Sequence, residues 1–230
     1  MDYPIQVPVL EFAQLALDVY DDPDANDVRP GFNKAWAKLN TWTSMNQFHA
    51  TFYKNMVTNV GVLSIRGTVT SIFPTLIADS QYGIGEFDSK NMSQFTDAIK
   101  FYIFLQTYPL WKETKEKYVT GHSLGGMLSK ALAPITGLNT IAFNSPGMNK
   151  FLKENNFSSN LVLNQKQITY SATYDTVGNL LNLYDNGKYI LVDTPKENDT
   201  KLNELNLMHF HGMKLMYNSI KNGPNKNDYF

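Results

Sequence analysis

Gly121-His122-Ser123-Leu124-Gly125 has the form Gly-x-Ser-x-Gly. In that form a serine sits on a sharp bend, and the small residues two positions to either side let the flanking segments close in. A serine hydroxyl is a weak nucleophile until a base takes its proton, so the motif needs a histidine within reach. The chain holds four: His49, His122, His209 and His211. His122 adjoins Ser123 and points elsewhere by strand alternation, which makes it a poor base. His49 lies far upstream in an apolar strand-like segment and reads as structural. The chain order Ser, acid, His that elbow chemistry follows leaves His209 and His211 as the two eligible bases.

The acid that orients the base must fall between them. Asp175 follows the apolar segment 168–173 and precedes a loop over 176–179. Reactive groups in parallel α/β sheets gather beyond the carboxyl ends of strands, which favours this position. Asp193 also ends a strand-like segment and is the alternative acid, whereas Asp185 is explained by turn chemistry. His209-x-His211 makes a poor metal pair. On a helix the two side chains diverge by about 200°. The chain contains no cysteine, and neither an HExxH pattern nor an Asp-rich loop accompanies them. Neither a metal nor a cofactor is expected.

Elements must bring these residues together. The segment 117–120 reads as a strand running straight into the elbow. Leu124, Met127, Leu128, Ala131 and Leu132 then form a helical stripe, with Pro134 expected to end it. An amphipathic helix is predicted over 7–20, neighbouring strands over 48–54 and 60–66, and a helix over 93–107. Strands are predicted over 139–143 and 168–173. A hairpin is expected to join 181–184 to 188–192 through Asp185-Asn186-Gly187, since Asn-Gly accepts positive φ cheaply. A helix is read over 203–220 and a flexible polar tail over 222–230. Alternating strands and helices predict an α/β architecture with a mostly parallel central sheet and helices on both faces.

Composition narrows the partners. The chain has 230 residues, 43% hydrophobic, with Lys plus Arg at 20 against Asp plus Glu at 21. A chain of that size buries roughly 70–75% of its unfolded surface, so a single domain over 1–230 is expected, with 1–54 as an N-terminal helical and strand segment. The near-zero net charge of −1 gives no electrostatic reason to bind nucleic acid. The longest apolar stretch, 98–111, is interrupted by Lys100, Gln106 and Thr107. It falls short of the roughly 18–20 residues that cross a bilayer. Contact with a membrane surface stays open, with Trp36 and Trp42 as candidates and burial as the ordinary alternative for both. Met1-Asp2-Tyr3-Pro4-Ile5 carries no basic segment ahead of an apolar block. A cytoplasmic location, or export without a cleaved signal, is therefore expected. No feature sets an oligomeric state.

Several of these segments together resemble the lipase class 3 family of α/β-hydrolases. Ser64-Ile65-Arg66-Gly67-Thr68 is similar to its Phe-Arg-Gly-Thr strand end, and Asp79 falls where the family often carries an aspartate. Gly121-His122-Ser123-Leu124-Gly125-Gly126 is identical to its commonest elbow. Tyr174-Asp175-Thr176-Val177-Gly178 resembles its acid-bearing segment, and His211-Gly212-Met213 its final motif. The likeness spans roughly 55–220, with the N-terminal part unmatched. It implies an α/β-hydrolase fold and a serine hydrolase of lipid esters, of lipase or phospholipase type. It implies Ser123 as nucleophile, Asp175 as acid and His211 as base, with an oxyanion hole formed by Leu124 and Thr68. Many members place Asp before the final His, whereas this chain has Phe210, which keeps His209 as the alternative base. The apolar segments 71–77 and 82–87 stand where the family carries a mobile cover; packing of a helix on the sheet is the other reading. Thioester or peptide cleavage on the same elbow, and a non-catalytic binding module, are the rival functions.

Overall fold

Segments 49–55 and 60–65 are buried along their whole length, as strands must be when both faces of the sheet are covered. A computed structural model of the chain describes residues 6–20, 35–67, 89–148, 166–175, 187–194 and 211–230. Among these, seven strands form one sheet in sequence order: β1 Trp36–Thr43, β2 His49–Asn55, β3 Val60–Ile65, β4 Glu116–His122, β5 Asn139–Phe143, β6 Gln167–Ala172 and β7 Lys188–Val192. β1, β2 and β3 run antiparallel to one another. From β3 to β7 every pairing is parallel. The carboxyl ends of β3 to β6 therefore lie along one edge, which is where the site is built.

Alternation in β3 sets the two layers. Val60 and Val62 join one core, with Phe12 and Leu15 of α1 (Val9–Asp18) and Met216 and Ile220 of the last helix, Met213–Asn222. Leu63 and Ile65 point the other way. They pack with Phe101 and Leu105 of α2 (Ser89–Thr107), Trp111 of α3 (Pro109–Lys112) and Leu128 and Leu132 of α4 (Leu124–Thr136). The last helix is accordingly α5. Helices cover both faces of a mostly parallel sheet, which is the α/β-hydrolase architecture expected from the sequence.

Several elements differ from their sequence reading. β1, for which no element was read in the sequence, is an edge strand whose exposed positions and bulge between Lys38 and Asn40 blur the alternation that marks a strand. Pro134 does not end α4. It removes one i→i−4 bond, and the helix runs on to Thr136, where Gly137 at φ 73° closes it by donating its N–H to the Ala133 carbonyl at 2.8 Å. β7 pairs in parallel with β6, so 188–192 is a sheet strand, while the hairpin's first arm, 181–184, lies outside the described residues. The helix read over 203–220 is described only as α5, because 203–210 also lies outside them. Trp36 is buried and donates Nε1–H to Glu11 at 2.6 Å; Trp42 is half-buried against Phe101 and Phe104. No described helix is long and apolar enough to cross a membrane.

The tail is the clearest correction. Instead of fraying, residues 222–230 are tied to the start of α1. Val9 N–H donates to Asp228 O at 3.0 Å and Phe230 N–H to Val7 O at 3.1 Å. The Phe230 ring packs edge-on against Phe12 and Tyr118, with centroids at 6.2 and 5.8 Å. A run of polar residues hid a terminal aromatic anchor. Phe230→Ala should destabilise the fold by about 3 kcal/mol, seen as a lower urea midpoint at unchanged slope. A change below about 0.5 kcal/mol, the level of an ordinary surface substitution, would restore the flexible-tail reading.

Candidate active site

β4 delivers His122 to the sheet edge, Ser123 makes the bend, and α4 starts at Leu124. Ser123 has φ 56° and ψ −126°, a backbone state that L residues adopt only under strain. Two backbone bonds hold it there. Ser123 N–H donates to Phe143 O and Met127 N–H donates to Ser123 O, each at 3.0 Å. The flanking glycines are required by close approach. A Cβ on Gly125 would lie 2.1 Å from the Ile65 carbonyl oxygen, and one on Gly121 would lie 2.5 Å from the Gly125 backbone. The strain has a measurable sign. Ser123→Gly should be more stable than Ser123→Ala by about 1 kcal/mol, reversing the usual order, since both lose the hydroxyl and only glycine relaxes the bend. Comparing the two denaturation midpoints checks this; an alanine variant as stable as the glycine one would mean the bend stores no strain.

Ser123, His211 and Asp175 meet here although far apart in sequence. His211 Nδ1 lies 2.9 Å from Asp175 Oδ1, and His211 Nε2 lies 2.7 Å from Ser123 Oγ. A carboxylate only accepts, so Nδ1–H donates to Asp175 and the Nε2 lone pair faces the Ser123 hydroxyl. Asp175 has no exposure and His211 2%, so the pair works away from bulk water. Asp175 is set just past β6, its N–H donating to Ala172 O at 3.0 Å. His211 sits two residues before α5, and its main-chain carbonyl accepts from His122 Nε2 at 2.6 Å and from Asn144 Nδ2 at 2.9 Å. Asn144, just beyond β5 at φ 45°, also accepts the Ala172 N–H on Oδ1 at 2.8 Å. Tyr20, after α1, lies 2.8 Å from His122 Nδ1 and accepts the Gly67 N–H at 3.1 Å.

Leu124 opens α4, where the first backbone N–H groups lack intrahelical acceptors and favour negative charge. Gly67, at the end of β3, closes on the bend: a Cβ there would lie 2.5 Å from His122 O and 3.2 Å from Ser123 Cβ. Thr68, Asp79, His209 and the segments 71–77 and 82–87 lie outside the described residues. Asp193 is exposed beyond β7; the carboxylate on His211 is that of Asp175. Among the described residues no three His, Cys, Asp or Glu side chains are placed to hold a metal ion.

Sequence reasoning passed over Tyr20 and Asn144 and set His122 aside as a poor base. His122 indeed turns away from the Ser123 hydroxyl, toward the His211 main chain. Asn144 follows a buried strand at the carboxyl edge, a signal that could have marked it. Tyr20 carried no signal, because only the packing of α1 brings it to a residue 102 positions away.

A strained serine between strand and helix, on a mixed sheet layered by helices, places the chain among the serine hydrolases of the α/β-hydrolase fold. A family model described as the Tle-like phospholipase domain, in the phospholipase-like group, matches residues 11–201, and the chain belongs to that family. The match starts at residue 11, so the likeness reaches into the N-terminal part, which the sequence motifs had left unmatched; it ends before His211. Among solved structures, the chain is similar to a mutant form of MDLA from Penicillium cyclopium, at 14% identity and TM-score 0.56 over 86% of this chain and 83% of that one. It is similar to the Lip2 lipase of Yarrowia lipolytica at 16% identity and TM-score 0.51, over 81% and 78%. The lipase from Rhizopus microsporus var. chinensis matches at 16% identity and TM-score 0.52, over 73% of this chain; the chain spans 66% of that protein's length. At such identities the likeness establishes the fold. No curated protein matches the chain.

Proposed function

We propose that the chain hydrolyses carboxylic esters of lipids, phospholipids foremost, with Ser123 as nucleophile, His211 as its base and Asp175 as the orienting acid. The observation that carries this reading is the unbroken Asp175–His211–Ser123 hydrogen-bond relay at the carboxyl edge of the sheet. Membership in a phospholipase-like family supports the lipid ester as substrate.

In the reaction Ser123 Oγ attacks the ester carbonyl while His211 Nε2 takes its proton. The tetrahedral oxyanion is received by the N–H of Leu124 at the start of α4, with Thr68 as the second donor. His211 then protonates the leaving alcohol, giving an acyl-Ser123 intermediate. Water activated by the same imidazole releases the fatty acid and restores the serine. Asp175 keeps the proton on Nδ1 throughout and stabilises the imidazolium as it forms. The substrate is taken from a membrane surface by peripheral contact, and the chemistry requires neither metal nor cofactor.

A substrate panel tests the class. Phosphatidylcholine and phosphatidylglycerol vesicles, a triacylglycerol emulsion, a soluble acyl thioester and a peptide are offered at matched acyl concentration. Fatty-acid release is expected from the lipid esters, fastest from the phospholipids. Turnover of the thioester or peptide alone would move the activity to another acyl group on the same elbow. Inertness toward all five would make the fold a binding module.

A further inference from the structure

The geometry points to His122 and Tyr20 as positioning residues that hold the main chain of the base and tie it to the strand end beside the nucleophile; this rests on the triad reading above.

The hydrogen bonds admit one direction only. The His211 carbonyl can only accept, so His122 Nε2 carries a hydrogen and donates to it at 2.6 Å. A neutral imidazole has one N–H, so Nδ1 presents its lone pair and the Tyr20 hydroxyl donates to it at 2.8 Å. The Tyr20 oxygen is then free to accept, and it takes the Gly67 N–H at 3.1 Å. A directed chain thus runs from just past β3, through the end of α1 and the end of β4, to the His211 carbonyl ahead of α5.

The environment keeps both groups in the required protonation states. Burial, and then the facing His211, hold the His122 imidazole down at about 3. Burial pushes the Tyr20 phenol above its ordinary range. The His122 and His211 rings are 4.9 Å apart. A proton on His122 would oppose the imidazolium that His211 becomes during acylation. Tyr20 occupies the one lone pair that could accept it.

The position of His211 needs such support. The residue after it, Gly212, has no side chain with which to hold the start of α5, and the His211 carbonyl is held by the N–H donors of His122 and Asn144. A misplacement of about 1 Å at a reacting group can cost about 100-fold in rate. His122 therefore acts through its Nε2–H, which has no part in proton transfer to or from Ser123. Gly67 ties the same chain to the main chain just past β3, so the base and the end of that strand are set against a common reference.

Three variants test this with the full chain. Tyr20→Phe removes only a hydroxyl, His122→Phe keeps an aromatic ring without a donor, and His122→Gln keeps an N–H donor near the place of Nε2. The expected kcat loss is about 10-fold for Tyr20→Phe and about 100-fold for His122→Phe, with KM within about 2-fold. His122→Gln should recover about 10-fold of the His122→Phe loss. Labelling of Ser123 by a fluorophosphonate should slow in proportion to kcat. A merely structural role would lower melting temperature and active fraction while leaving kcat per labelled site unchanged, and it would show no preference for Gln over Phe. That outcome overturns the proposal, as does wild-type kcat in Tyr20→Phe and His122→Phe together. Ser123→Ala and His211→Ala are measured alongside. If they keep wild-type turnover, the triad reading falls and takes this proposal with it. If they lose turnover while the Tyr20 and His122 variants do not, the positioning role alone is refuted.

Discussion

Ser123→Ala should lower kcat by about 10^6-fold, to the level set by substrate binding and oxyanion stabilisation without a nucleophile. In the proposed mechanism the hydroxyl oxygen bonds to the acyl carbon, and His211 Nε2 lies 2.7 Å from Ser123 Oγ to take its proton. The fold should survive. The backbone bonds at the bend, to Phe143 and from Met127, involve main-chain atoms only. The stability cost is then the loss of one side-chain hydrogen bond, about 1 kcal/mol. Burst kinetics on a chromogenic ester, with circular dichroism on the same preparation, checks both halves. Retained turnover in a folded variant would mean that water attacks the ester directly, and the acyl-enzyme would have to be abandoned.

Asp175→Asn should cost about 10^4-fold in kcat with little change in KM. Asparagine keeps the shape but turns its amide N–H toward His211 Nδ1, now 2.9 Å from a carboxylate oxygen. The imidazole must then carry its proton on Nε2, where it can no longer accept one from Ser123. Asp175 is fully enclosed, so bulk solvent cannot substitute for its charge. Asp193→Asn should leave the rate within about 2-fold, because Asp193 is exposed beyond β7. The reverse pattern would reassign the acid to Asp193.

How much of this site could be read in the sequence depended on how local each signal was. The elbow was legible because its three required features, two small residues and a bend between strand and helix, fall within five positions. The stripe Leu124, Met127, Leu128, Ala131, Leu132 marked the helix behind it; Met127 is half-buried and the other four are buried. Asp175 was legible through its place after a strand, and the structure puts it on the histidine favoured by the family likeness. Tyr20 was not legible, since its role exists only once α1 packs on the sheet. That packing fixes α1 through bonds such as Tyr53 hydroxyl to Asp18 Oδ2 at 2.6 Å and Ser64 hydroxyl to Leu15 O at 3.0 Å. β1 went unread and the tail was misjudged for a related reason. An edge strand and a chain end need few apolar residues of their own, so composition understates them, while tertiary contacts such as Phe230 on Tyr118 decide them.

The central claim is that Ser123 is an activated nucleophile. Intact-mass spectrometry after fluorophosphonate treatment, on the wild type and on Ser123→Ala, tests it most directly. A single adduct is expected on the wild type and none on the variant, with peptide mapping placing the adduct on Ser123. An unlabelled, folded wild type in the presence of lipid micelles, or an adduct that persists in Ser123→Ala, would contradict it.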